Sequence, residues 1–356
     1  MPYGLNSLTI KVHNELVILD LIRRYPMSRR ELAELSGLTP ATVSAIITRL
    51  MTEGVVAEGD KVPSRGGSKG GRRRTYLELV AASRMAGGML MDRSGIEGSV
   101  VDIRGTLYAQ HSHRLPCTLD KLTAADMVAL VVDMIDQLQH RLPLGSSLAG
   151  WGMGVPWWYP SAIDWAAITE KVRQRTQVST LRLVQNAVSA AMGEWWYADH
   201  PLAFPSLELF LGGGIGGCVI QQGENDFAPN FQPIEIGHMG IHPDGPPCYC
   251  GGFGCLEQFS GPASPLAQED LDKAARYLAY ALRSLMLLFD LREIIVSGPQ
   301  SDFLATHYLP TIREALGPQA PPIRMSQVHL QNQAVGAAAV VFDSEGRIFG
   351  PALAMQ

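Results

Sequence analysis

The sequence predicts an α/β protein with a small helical head of about 80 residues ahead of a larger body. Three observations predict it. The first 52 residues hold three helical patterns separated by capping and turn residues. From Met85 onward, short β-rich runs alternate with helical ones. Between those runs one histidine and three cysteines fall within about twenty residues.

In the head, Val12, Leu16, Leu19 and Ile22 repeat at helical spacing over residues 8–24. Ser28-Arg29-Arg30-Glu31 then reads as a capping box, in which serine and glutamate satisfy the free amides that open a helix. That helix turns Leu32, Ala33 and Leu35 inward and stops at Ser36-Gly37, since glycine accepts the left-handed cap conformation. Thr39 as N-cap and Pro40 at the first position start a third helix, with Val43, Ile46, Ile47 and Leu50 as its buried stripe. Helix, tight glycine turn, helix is the layout of a helix-turn-helix. Residues 54–58 and the alternating Tyr76-Leu77-Glu78-Leu79 read as two wing strands around the basic, glycine-rich Gly70-Gly71-Arg72-Arg73-Arg74. Residues 1–80 are thus expected to form a winged helix-turn-helix that binds DNA. The candidate contacts are Ser28, Arg29, Thr39, Ala41, Thr42, Ser44 and Arg49 on the helices, with Arg72 and Arg73 in the wing linker. A helical hairpin used only for dimerisation, with a merely solvated linker, is the competing reading.

Charge supports the division. Residues 1–80 carry 12 Lys or Arg against 8 Asp or Glu, whereas the rest carry 17 against 26. A basic head on an acidic body points to a polyanionic partner for the head alone. A content of 46% hydrophobic and 18% charged residues describes a folded chain, not a disordered one. No run of eighteen apolar residues and no basic-then-apolar leader is visible, and most of the five cysteines fall in one cluster; a cytoplasmic protein with no membrane segment is expected.

In the body, 98–102, 152–155, 207–211 and 293–296 read as strands, and 122–140, 185–197, 268–289 and 334–342 as helices. The order Glu235-Ile-Gly237-His238, nine residues, Cys248-x-Cys250-Gly-Gly-x-Gly-Cys255-Leu-Glu257 is the most informative stretch of the chain. Three thiolates and one imidazole make the closed Cys3His set of a structural Zn2+ site, with His238, Cys248, Cys250 and Cys255 as ligands. Glu235 and Glu257 bracket the ligands and could face a polar small molecule. Reduced core cysteines beside an unrelated histidine are the alternative.

This string resembles the signature of the ROK family, which groups sugar-responsive transcriptional repressors with sugar kinases. The likeness extends to Gly70-Gly71-Arg72-Arg73, although Arg74 stands where proline is usual. It implies a two-lobed, actin-like (sugar kinase/ribonuclease H-like) body over 81–356, with lobe 1 at about 81–195 plus 335–356 and lobe 2 at about 196–334. It also implies that Glu235, His238 and Glu257 touch a sugar, with Gln185 and Asn186 nearby. The family's kinases open with Asp-Ile-Gly-Gly-Thr, where glycines admit ATP phosphates. Leu90-Met91-Asp92-Arg93-Ser94 matches that segment here, with side chains at both glycine positions. Their catalytic aspartate, from an Asn-Asp-Ala-Asn string, corresponds to Asn186, or to Ala187 if a gap is allowed; neither is a base. Gly212 to Gly217 resembles the family's second glycine loop. Trp157 and Trp158 follow Gly154-Val155-Pro156 where glycine is typical, and could stack on a sugar or pack in the core.

These readings converge on a DNA-binding transcriptional repressor, not an enzyme, whose inactive kinase-like body senses a carbohydrate or sugar phosphate. Operator DNA, the sugar effector and a second copy, as homodimer or tetramer, are the expected partners. An active sugar kinase with a DNA-binding head, or a regulator controlled by a protein partner, remain as alternatives.

Overall fold

The computed structural model describes residues 7–59, 75–93, 95–115, 117, 119–143, 146–156, 163–223, 229–328 and 333–342. Arg72, Arg73, Trp157 and Trp158 lie outside them. The chain divides into two compact units, one of residues 1–85 with 102–106, the other of 86–101 with 107–356.

The first unit opens with α1 (Ser7–Arg24), which buries Val17, Ile18, Leu19 and Ile22. In α2 (Arg29–Ser36) the capping box is formed as its residues dictate: the Ser28 hydroxyl accepts from Glu31 N, and the Glu31 carboxylate accepts from Ser28 N at 2.8 Å. Gly37 ends the helix at φ +68°. α3 (Pro40–Thr52) is capped by Thr39 and buries Val43, Ile46, Ile47 and Leu50, the expected stripe. Leu35 corrects the expectation. The buried line of α2 runs through Leu32 and Ser36, four residues apart, and Leu35 falls off it, 58% exposed. β1 (Val56–Gly59) and β2 (Tyr76–Leu79) pair antiparallel, and Met27 adds a bridge to Leu77. Leu77 and Leu79 point inward while Tyr76 and Glu78 face outward, as a strand with one buried face requires.

The second unit contains two five-stranded sheets. β3 (Met85–Met91), β4 (Gly95–Asp102), β5 (Leu107–Arg114), β6 (Leu148–Val155) and β7 (Leu181–Gln185) lie in the order β5-β4-β3-β6-β7. β8 (Ser206–Leu211), β9 (Ile215–Gln221), β10 (Asn230–Ile234), β11 (Glu293–Ser297) and β12 (Ile323–Met325) lie in the order β10-β9-β8-β11-β12. Counted from its own first strand, each sheet has the order 3-2-1-4-5. In both, the second and third strands pair antiparallel and the fourth and fifth parallel. α4 (Ala124–Gln139) and α5 (Trp165–Thr176) belong to the first half, and α6 (Asn186–Tyr197) leads into the second. α7 (Leu256–Ser260), α8 (Pro265–Glu269) and α9 (Leu271–Phe289) follow the cysteine loop, the last two separated at Asp270, whose carboxylate caps α9. α10 (Ser301–Phe303) runs through a π-helical turn into α11 (Leu309–Leu316), and α12 (Val335–Phe342) is buried along its whole length. Gly88 and Gly152 let β3 and β6 approach the α12 end closely, since a Cβ at either would overlap the Ala334 or Ala337 carbonyl oxygen. Among the described residues, no helix is long and apolar enough to cross a membrane.

A second buried feature joins α6 to the second sheet. The Arg324 guanidinium donates to Glu194 at 2.5 Å and Glu293 at 2.6 Å, and the Ser326 hydroxyl donates to Glu194 at 2.6 Å. Glu208 lies fully buried beside them, and burial, reinforced by the charge of Glu194, pushes its carboxyl well above the usual range.

Candidate ligand cleft and metal centre

The ends of several strands in the second unit surround a cleft of about 90 Å3. β3 delivers Asp92 and Arg93, β6 ends at Val155, β7 at Gln185, and α6 begins with Asn186. Gly212 to Gly214 form the turn between β8 and β9, Glu235 and His238 follow β10, and Glu257 stands on α7. The cleft therefore brings Gln185, Asn186, Glu235, His238 and Glu257, all five of the proposed ligand contacts, onto one surface.

Asn186 is almost fully buried, and its amide nitrogen donates to the Met91 carbonyl at 2.9 Å. That bond fixes the side chain and leaves Oδ1, which has no protein donor, as a hydrogen-bond acceptor beside Gly154. An amide so held can accept a hydroxyl hydrogen bond but cannot take the proton. Glu257 Oε2 accepts from Ile215 N at 3.2 Å and from the Tyr249 hydroxyl at 3.4 Å. Its Oε1 faces Arg93 Nη2 at 3.1 Å. Burial, then the nearby Glu257 charge, raises the Glu235 carboxyl above its ordinary value. Burial also lowers the His238 imidazole, partly opposed by Glu257 and assisted by Arg93, a direction that favours the neutral ring a metal ligand requires. The Tyr249 ring packs edge-on against His238, 5.0 Å between centroids.

His238, Cys248, Cys250 and Cys255 converge so that their donor atoms all lie within 4.8 Å of one another. His238 Nδ1 is 3.5 Å from Cys248 Sγ, and Cys250 Sγ is 3.5 Å from Cys255 Sγ. Bonds of about 2.0–2.3 Å to one tetrahedral ion give separations of this size. The four residues could hold a metal ion. Gln258 Nε2 and Gly252 N point at Cys248 and Cys250, at 3.6 and 3.4 Å, donors suited to thiolate sulfur. Gly254, at φ +62°, is required by the loop, because a Cβ there would overlap the His242 carbonyl oxygen.

In the first unit, Thr39, Ala41 and Ser44 are exposed and Thr42 half-buried on the opening turns of α3. The Ser28 hydroxyl is buried and committed to the Glu31 cap. Arg29 is half-buried, 4.0 Å from Glu58. Arg49 pairs with Glu15 of α1 and reaches Glu53 at 3.9 Å, so its guanidinium ties α3 to α1. Tyr249 and Arg93 also line the cleft, beyond the five residues expected there from the sequence. The residue type at position 93 was the available signal, for a cation inside a cleft must be balanced.

Residues 95–264 match the model of the ROK family, and residues 13–57 match that of a winged helix-turn-helix DNA-binding domain. The xylose repressor of Bacillus spizizenii is 28% identical over 262 residues, covering 70% of this chain and 66% of that protein. The Escherichia coli DNA-binding transcriptional dual regulator NagC is 24% identical, covering 93% of each. Among solved structures, a ROK family transcriptional regulator described as a homolog of E. coli MLC superposes with a TM-score of 0.70 at 18% identity, over 93% of this chain and 96% of that one. A ROK family glucokinase from Streptomyces griseus, in complex with glucose and AMPPNP, superposes on 72% of this chain and 98% of its own, with a TM-score of 0.57 at 21% identity.

Proposed function

The chain belongs to the ROK family, as a member with a winged helix-turn-helix ahead of the ROK body, and on that premise we propose that it is a sugar-responsive transcriptional repressor. One observation carries this reading. A single chain combines a capped recognition helix, its opening turns exposed, with a polar cleft whose base position is an immobilised amide. The xylose and NagC relatives support it.

In this proposal α3 enters the major groove, where Thr39, Ala41, Thr42 and Ser44 meet base edges and phosphates. Arg29, Arg72 and Arg73 add phosphate contacts, while Ser28 and Arg49 hold the helices in position. In the body, Gln185, Asn186, Glu235, His238 and Glu257 hold the hydroxyls of a carbohydrate effector. The body does not transfer phosphate, because Asn186 cannot act as a base and side chains replace the glycines at 92 and 93. Zn2+, when bound to His238, Cys248, Cys250 and Cys255, supplies structural cross-linking. Through it His238 and α7, with Glu257, are fixed relative to one another. Effector binding favours one arrangement of the lobes, which changes the spacing of two heads in a cytoplasmic homodimer or tetramer and lowers affinity for paired half-sites.

The test is recovery and sequencing of genomic fragments bound by the purified, zinc-loaded protein. Enrichment of a palindrome, released by a particular sugar, is the expected result. Binding that is salt-sensitive but unselective overturns the assignment of the head as a specific reader.

A further inference from the structure

Arg93 occupies an unusual place for a cation. Its stem lies against Gly213, with Cβ, Cγ and Cδ standing 2.7, 2.9 and 3.0 Å from where a Cβ on that glycine would sit. Its head is engaged on three sides: Nη2 faces Glu257 Oε1 at 3.1 Å, Nη1 donates to the Gly213 carbonyl at 3.4 Å, and the guanidinium lies 4.3 Å from the centre of the Tyr249 ring. The side chain thus covers the bare glycine turn between β8 and β9. That turn also closes on itself, Gly212 N donating to the Gly214 carbonyl at 3.1 Å.

Cleft charge adds a second argument. Among the described residues that line it, Asp92, Glu235 and Glu257 are set against one cation, Arg93. A phosphate drawn to Arg93 must displace Glu257, which is 6% exposed and would be left without its counter-ion. It would also stand against three carboxylates in a site shielded from water.

We propose that Arg93 is the internal counter-ion of Glu257, not an anion receptor, and that the cleft selects an uncharged polyhydroxylated ligand over its phosphorylated form. This rests on the carbohydrate-sensing reading above. An uncharged polyol needs acceptors for its hydroxyls, and Glu235, Asn186 Oδ1 and the remaining lone pairs of Glu257 supply them.

Two titration calorimetry experiments on the full zinc-loaded chain test the proposal. The first compares glucose and N-acetylglucosamine with their 6-phosphates; the free sugar is expected to bind at least about tenfold more tightly than its phosphate. A phosphate that binds as tightly as its parent, or more so, overturns the selection. The second uses pyrophosphate as a probe independent of sugar identity. Wild type is expected to be silent, Glu257→Gln to gain binding because Arg93 is released, and the Glu257→Gln/Arg93→Gln double variant to lose it again. Pyrophosphate binding by wild type, or a silent but folded Glu257→Gln, overturns the counter-ion role. If neither sugar binds in either form, glucose and N-acetylglucosamine are excluded as effectors, and the pyrophosphate series alone still decides the role of Arg93.

Discussion

Replacing Asn186 by aspartate would put a carboxylate at the cleft position that the ungapped resemblance to the family's kinases aligns with their aspartate. In this protein the substitution is expected to damage the fold without creating an enzyme. The Asn186 amide donates to the Met91 carbonyl at 2.9 Å from a site 8% exposed. An ionised aspartate turns that donor into an acceptor aimed at another acceptor, so a hydrogen bond is lost and a charge is buried without a partner. An unsatisfied buried neutral group costs about 1–3 kcal/mol and a charged one more, so about 3 kcal/mol at pH 8 is expected. The sign of the pH dependence follows. Only the protonated acid can donate to Met91, so the folded state raises the aspartate above its unfolded value of about 3.9. The folded protein then holds more protons than the unfolded one. The penalty is absent below that value and grows as pH rises toward the folded one. Urea melts of wild type and Asn186→Asp at about pH 5 and pH 8, paired with an assay of ATP-dependent glucose phosphorylation, check both parts. A variant as stable as wild type at pH 8, or one less penalised at pH 8 than at pH 5, refutes the account of the Met91 bond. Phosphate transfer above background refutes the argument that residues 92 and 93 close the phosphate loop.

Three further outcomes are expected. Cys250→Ser should lower metal affinity more than about tenfold and blunt the sugar response, as read by metal analysis after dialysis and by operator release; persistence of both removes the metal assignment. Arg324→Met should cost about 3–5 kcal/mol near neutral pH, because Glu194 and Glu293 lose a shared buried partner. That cost should shrink in urea melts at acid pH, where the carboxylates can take up protons. Thr39→Ala removes the α3 cap and should cost the head about 1 kcal/mol, measured as a lower melting transition together with weaker operator binding.

What the sequence made legible were features that act over a few residues. Caps are of this kind: Ser28 with Glu31, and Thr39 with Pro40, determine their helix starts by local hydrogen bonding and formed as their spacing demands. The cysteine loop is another, since Cys248, Cys250 and Cys255 are brought together by glycine-permitted turns. Long-range pairing left no such mark. Arg93 meets Gly213 across 120 residues, and Glu194 meets Arg324 across 130. No periodicity in either segment announces its partner. β5, with His111, Ser112, His113 and Arg114 along it, lacks the apolar run that marked β8 or β11. An edge strand with one wet face need not carry that run. Leu35 shows the opposite error, an apolar side chain expected inward by its type yet 58% exposed in the fold.

The shared strand order of the two sheets gives the cleft a further meaning. The turn after β3, closed by Asp92 N on the Gly95 carbonyl, and the turn after β8, closed by Gly212 N on the Gly214 carbonyl, are the same corner in two halves of one repeated architecture. One corner has a bare backbone; the other carries a side chain, Arg93, that lies across it. The cleft is therefore a seam, and Arg93 is a stitch over it. A ligand that reaches from Asn186 on one side to Glu257 on the other acts as a gauge of the gap, because its binding free energy depends on how far apart the halves stand. In the proposed sensor no separate transmitter is needed at the site: recognising the ligand and setting the width of the seam would be one physical event.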